Sequence, residues 1–350
     1  MVADRRNRDE VSHSAATIGL RHDVRDAVKR PVSGTLYFES MVSMKNPVFD
    51  LSRLRAAPTL TAFAGLLSAC GGGGGGGSVP VTAPTVSAAT AGAAKYSQRV
   101  LLTINGTNLD QGLAVAATGC VNVVPSVTPA STPTTAYYQC TASSLGNGLF
   151  TVTRSSDGAT LASAAFVVPV PKVTMTLTNG NGGAVNGSIV ITLAPDKAPL
   201  TVGNFLAYVN AGFYEGTVFH RLSPGFVVQG GGYVAPVDSN TPTAKPTNPP
   251  IALEVNKDLS NTQWTIAMAR TAITASATSQ FFINLADNSA SLDPSPLNGA
   301  GYAVFGTVSG GTDTVTSIAM APCVTIPLFL PSGDCTPTPN VVVSSAVQTQ

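Results

Sequence analysis

The chain is 350 residues long, enough for two ordinary domains, and 44% of it is hydrophobic, enough to build sizeable cores. Charged residues make up 11%, about half the usual share, while 34 Gly and 25 Pro point to short strands and frequent turns rather than long charged helices. The net charge of +1 hides an asymmetry: ten of the nineteen Lys and Arg lie at or before Arg55, and after residue 70 nine basic residues face eleven acidic ones, which excludes nucleic acid as a partner of the folded part.

Residues 1–40 are charged and aperiodic, so they are expected to be disordered or untranslated, with the true start at Met41 or Met44. From Met41 the sequence passes Lys45, Arg53 and Arg55, enters the apolar stretch 56–67, and reaches Ser68-Ala69 before Cys70. A basic region, a short apolar region and small residues mark 41–69 as a secretory signal. The apolar stretch is shorter than the ~20 residues that span a bilayer. Leu67-Ser68-Ala69-Cys70 resembles the bacterial lipobox, which implies cleavage before Cys70 and acylation of that cysteine. The expected location is therefore the bacterial cell envelope, lipid-anchored and facing the periplasm, with Gly71 after Cys70 pointing to the outer membrane. The competing reading is a buried helix over 56–69; the seven glycines Gly71–Gly77 oppose it, because they continue no packed element. Residues 70–80 read as a flexible tether.

With Cys70 taken by lipid, four cysteines remain, and they can pair within their own domains as Cys120–Cys140 and Cys323–Cys335, as an oxidising compartment allows. The other reading is free buried thiols. A metal site is not expected, since the mature part has a single His and no close Cys pair.

Over 81–171, β-rich runs alternate with turn signals: Arg99–Ile104 before Asn105-Gly106, Leu113–Ala116, Ala136–Cys140, Leu149–Arg154 before Ser155–Gly158, and Leu161–Val170. This spacing suits a small sandwich, and Val100–Leu109 resembles an immunoglobulin-like module. No catalytic constellation stands out there, and a spacer is the expected role.

Over 172–350, Val173–Leu177 and Ser188–Leu193 read as paired strands about the turn 179–183. Pro199 after Asp196 signals a helix, and Val202, Phe205, Leu206 and Val209 recur at i, i+3, i+4, i+7. Apolar runs follow at Thr217–Arg221, Phe226–Gln229, Thr265–Arg270, Gln280–Leu285, Tyr302–Val308 and Val341–Val347, with a second helix at Thr312–Met320. Two helices among many strands suit a closed, eight-stranded antiparallel barrel, which makes the chain mainly β.

Within that region, Thr201–Phe205, Tyr214–Thr217, Phe219-His220-Arg221-Leu222-Ser223-Pro224-Gly225-Phe226-Val227-Val228-Gln229-Gly230-Gly231, Thr265–Arg270, Ser279-Gln280-Phe281-Phe282-Ile283 and Gly301–Gly306 resemble, in order, segments of cyclophilin-type peptidyl-prolyl cis-trans isomerases. The resemblance implies a cofactor-free enzyme acting on proline-containing polypeptides. Arg221 matches the family's catalytic arginine, and Gln229 the glutamine that positions substrate and arginine. Phe226, Val227, Phe282 and Leu292 match the proline pocket, and Tyr302 stands at its rim. Ala269, Arg270 and Gln280 match the groove for residues before proline. His220 invites a nucleophile or base role, but the resemblance implies a structural one, and no Ser or Cys partner lies at motif spacing. Departures are Ser291 in place of a large aromatic, Val227 in place of Met, Arg270 in place of Asn, and Trp264 where Gly commonly stands. The smaller wall at Ser291 supports the rival reading, a peptide-binding envelope chaperone or scaffold without turnover.

Overall fold

The computed structural model describes residues 82–179 and 185–350. The expected signal segment, Cys70, the tether and most of the turn at 179–183 lie outside the described residues. Residues 85–168 form seven strands: β1 (Thr85–Ala91), β2 (Arg99–Thr107), β3 (Leu113–Thr118), β4 (Cys120–Pro125), β5 (Thr135–Ala142), β6 (Gly146–Arg154) and β7 (Thr160–Val168). They make two antiparallel sheets, in the orders β1-β2-β5-β4 and β3-β6-β7. Alternation drives the layering. On β2, Val100, Leu102 and Ile104 point inward, and on β6 and β7 Phe150, Val152, Ala164 and Phe166 meet them in one core. The Phe150 and Phe166 rings sit 5.2 Å apart.

The five runs read from sequence here all appear as strands, with one difference. Asn105-Gly106 is not a turn but the interior of β2, where Gly106 lies opposite Val86. A Cβ on Gly106 would stand 1.9 Å from the Thr85 carbonyl oxygen, so the glycine is there for a close backbone approach. Cys120 and Cys140 are bonded, as paired in the sequence, with Cα atoms 5.7 Å apart. They join neighbouring strands of one sheet, so the bond lacks the inter-sheet placement of the antibody-domain disulfide.

The second part opens with the hairpin β8 (Lys172–Thr178) and β9 (Asn186–Leu193). Next come α1 (Pro199–Asn210), β10 (Thr217–Ser223), β11 (Val227–Val234), β12 (Thr265–Met268) and β13 (Phe281–Asn284). The rest is α2 (Ser289–Leu292), β14 (Val304–Gly310), α3 (Thr312–Ala319), the short pair β15 (Cys323–Val324) and β16 (Thr336–Pro337), and β17 (Val341–Gln348). Eight strands close an antiparallel barrel in the order β10-β11-β13-β12-β14-β9-β8-β17. Its centre is aromatic: Phe205 from α1 packs against Tyr214, Phe281 and Phe305 at centroid distances of 5.4, 5.9 and 5.0 Å.

Val202, Phe205, Leu206 and Val209 are all buried on α1, as the spacing predicts. The start signal at Asp196 is a different matter. The first free amides of α1, on Leu200 and Thr201, donate to the Glu254 carboxylate at 3.1 and 2.7 Å, so the cap comes from 54 residues downstream in sequence. The expected count of two helices is also corrected to three, because α2 is a single turn too short to carry a helical period.

The two parts rest on each other rather than being strung apart. Gln348, at the end of β17 and 2% exposed, donates through Nε2 to the Tyr96 carbonyl at 3.1 Å. Its Oε1 accepts from Gln98 at 2.8 Å and from Asn210 of α1 at 3.2 Å, and its backbone carbonyl accepts from Lys95 at 2.7 Å.

Candidate active site

Strand register sets the site. β10 and β11 are antiparallel neighbours with Arg221 directly opposite Gln229, and on the far side of β11 Gln229 stands opposite Phe282 of β13. Period-2 alternation then places Arg221, Gln229 and Phe282 on one face. The polar members form a row: Arg221 Nη1 donates to Gln229 Oε1 at 3.0 Å, and Gln229 Nε2 donates to Gln280 Oε1 at 2.9 Å.

Beside this row lies a hollow of about 150 Å³. Val227, Phe282 and Leu292 are its buried apolar members, and Phe226, Ala269 and Tyr302 pack against them. Tyr302 meets Phe282 edge to face at 5.5 Å, and the Arg270 guanidinium lies over the Tyr302 ring at 4.7 Å. Arg270 is held there by donating from Nε to the Gly301 carbonyl at 2.9 Å and from Nη1 to the Thr271 carbonyl at 2.9 Å. Arg221 and Gln229 close the polar side. Nine of the ten residues read from the sequence as catalytic or substrate-binding thus line one hollow, and the tenth, Gln280, lies in an adjoining hollow of about 310 Å³ together with Gln229, Ala269 and Arg270. Arg270 therefore belongs to both. Ser291 is exposed and lines neither.

Three features escape sequence reasoning. The first is a chain of buried asparagines behind the pocket. Asn284 donates to Asn261 Oδ1 at 3.2 Å, and Asn288 Nδ2 donates both to Asn284 Oδ1 and to the Phe226 carbonyl, each at 2.8 Å. That last bond fixes the loop that carries Phe226. The second is Asp334, whose Oδ2 accepts from Arg221 Nε at 2.5 Å. The third is the left-handed backbone of Trp264, φ +67, which explains why a glycine commonly stands at the position where the sequence departs.

His220, next to Arg221, is buried and faces Tyr233 edge to face at 4.8 Å. Desolvation, opposed by a backbone hydrogen bond with Val218 and aided by the neighbouring Arg221 charge, lowers its pKa to about 4, so the imidazole is neutral at physiological pH. Gly231 takes φ +82, and a Cβ there would lie 2.9 Å from both the Phe281 and Tyr214 rings. Both of these neighbours of the row are buried in the barrel wall.

A closed antiparallel barrel thus carries a guanidinium, held by Gln229 and Asp334, beside an apolar hollow. Comparison with known proteins identifies the family. A family model described as cyclophilin type peptidyl-prolyl cis-trans isomerase/CLD matches residues 174–347. The chain is similar to peptidyl-prolyl cis-trans isomerase A of Dickeya dadantii, 50% identical over 133 residues, covering 38% of this chain and 66% of the relative. It is 48% identical over 136 residues to a peptidyl-prolyl cis-trans isomerase of Acinetobacter baylyi, covering 39% of this chain and 69% of the relative. To peptidyl-prolyl cis-trans isomerase B of Escherichia coli it is 47% identical over 134 residues, covering 38% of this chain and 79% of the relative. The chain belongs to the cyclophilin-type peptidyl-prolyl cis-trans isomerase family.

Proposed function

We propose that the barrel accelerates rotation about X–Pro bonds in exported polypeptides, with Arg221 as the electrostatic catalyst. The observation that carries this reading is the placement of Arg221 on the polar edge of the apolar hollow, with donors left over after its bonds to Gln229 and Asp334. Amide resonance sets a rotation barrier of ~18–20 kcal/mol. A guanidinium N–H aimed at the prolyl nitrogen draws its lone pair out of conjugation, which matters most in the twisted transition state. Phe226, Val227, Phe282 and Leu292 hold the ring while the chain before it turns in the groove of Ala269, Arg270 and Gln280. No bond breaks and no proton need move, so His220 has no part in the step.

The test is exchange between cis and trans forms of a prolyl peptide. Arg221→Ala should lower kcat/KM on the order of 10²-fold with the fold intact; unchanged turnover sinks the reading. Ser291, exposed and outside both hollows, supports a second reading: a groove that holds proline segments without turning them. Binding by the unaltered protein with no gain in exchange rate favours that reading.

The chain meets its clients in the cell envelope, held by lipid on Cys70. The support is the sequence of 41–77 and the pairing of all four remaining cysteines, which suits an oxidising compartment. Mass spectrometry of the mature N-terminus tests it: an acylated Cys70 supports the anchor, and an unprocessed start overturns it.

A further inference from the structure

We propose that Asp334 is a positioning residue for Arg221, delivered by the disulfide-stapled segment 323–335; the inference rests on Arg221 being the catalyst. Arginine has a long flexible stem and a flat head. A guanidinium held at one nitrogen still swings about that bond. Arg221 is held at two: Nη1 donates to Gln229 and Nε donates to Asp334 Oδ2 at 2.5 Å. Two anchors on different nitrogens of one plane fix the plane, and the donors not engaged are left beside the apolar hollow that Arg221 lines.

Asp334 is itself fixed. Its side chain is 6% exposed, against 24% for that of Arg221, so the carboxylate sits behind the guanidinium, away from solvent. The next residue, Cys335, is locked to the strand that bears Arg221: Leu222 donates its amide to the Cys335 carbonyl at 2.7 Å, and Cys335 returns the bond at 3.0 Å. Thr336 Oγ1 donates to the His220 carbonyl at 2.8 Å, one residue to the other side of Arg221. The Cys323–Cys335 disulfide closes the segment at its base, with Cα atoms 5.5 Å apart. A buried carboxylate on a segment held this firmly orients the arginine before substrate arrives, so no reorganisation is left for the transition state.

The expected signature is a loss in kcat, with KM nearly unmoved, because the apolar pocket does not involve Asp334. Asp334→Asn keeps the shape and an acceptor but removes the charge, and should lower kcat about tenfold, the size of one charge-assisted hydrogen bond. Asp334→Glu should recover part of that loss. The same change placed in Arg221→Ala should have no further effect, since there is no guanidinium left to orient. Circular dichroism and melting accompany each variant. A folded Asp334→Asn with unchanged kcat, or losses that multiply in the double variant, overturns the role of Asp334. Full turnover by Arg221→Ala instead overturns the catalyst itself, so the two failures are told apart.

Discussion

Arg221 and Gln229 face each other across β10 and β11, and the 3.0 Å bond between them is one end of a row that continues to Gln280. Gln229 therefore uses both ends of its amide, accepting from the arginine and donating to the groove. Gln229→Ala should free Arg221 Nη1 and leave Gln280 Oε1 without its donor. Turnover of a prolyl peptide is expected to fall about tenfold. Gln229 is only half-buried, so the melting midpoint should barely move; a large drop in stability with normal turnover would assign it to the wall instead.

Asn288→Asp probes the loop of Phe226. The amide Nδ2 bonds both the Phe226 carbonyl and Asn284 Oδ1, and an ionised carboxylate offers neither of these hydrogens. Losing them inside the protein should destabilise it by about 1–3 kcal/mol. It should also loosen Phe226, raising KM for prolyl peptides more than it lowers kcat. Urea titration and steady-state kinetics read the two effects separately.

What the sequence reveals and what it hides follow from how far each signal reaches. The apolar spacing of α1 is local, and its four predicted residues are buried as read. Most residues lining the hollow were legible because they lie within short segments that resemble those of the cyclophilin family. β1 and β4 were missed for want of a pattern, not of a place: β3 and β7 are edge strands too and were read. β1 is built from small residues, and β4 leaves Val121 and Val124 exposed, so neither has an alternating core stripe. Asp334 lies 113 residues from Arg221, and no local pattern links them. Glu254 capping α1 and the asparagines behind Phe226 are of the same kind: single polar residues whose meaning lies in tertiary contact.

His220 sets a pH limit. Its pKa is lowered from 6.5 to about 4 in the folded protein, so below about 6.5 the unfolded chain takes up a proton that the folded one refuses. The stability is fully present above about pH 6.5 and is lost as pH falls toward 4. The loss should approach about 3 kcal/mol, at 1.36 kcal/mol per pKa unit. Urea melts at stepped pH values, followed by the fluorescence of Trp264, the only tryptophan in the chain, measure it. His220→Phe should flatten the slope in that window. A profile equally steep in the variant would place the acid sensitivity elsewhere.

Gln348→Leu tests whether the sandwich is docked or merely tethered. The glutamine is buried and ties β17 to two other segments: the loop of Tyr96 and Gln98 on the sandwich side, and Asn210 at the end of α1. Leucine has similar bulk but no polar atoms, so the Tyr96 carbonyl would be left unpaired in a dry place. A cost of about 1–3 kcal/mol is expected. Its form is more telling than its size. In the unaltered protein the shared contacts couple the two parts, and calorimetry of the folded region should show one transition. In the variant the sandwich and barrel should melt as two. Turnover should persist, since Gln348 lines neither hollow of the candidate site. If a single transition survives at an unchanged midpoint, the Gln348 side chain contributes nothing to the docking; if instead the transitions split and turnover falls, the docked sandwich holds the barrel in its working shape.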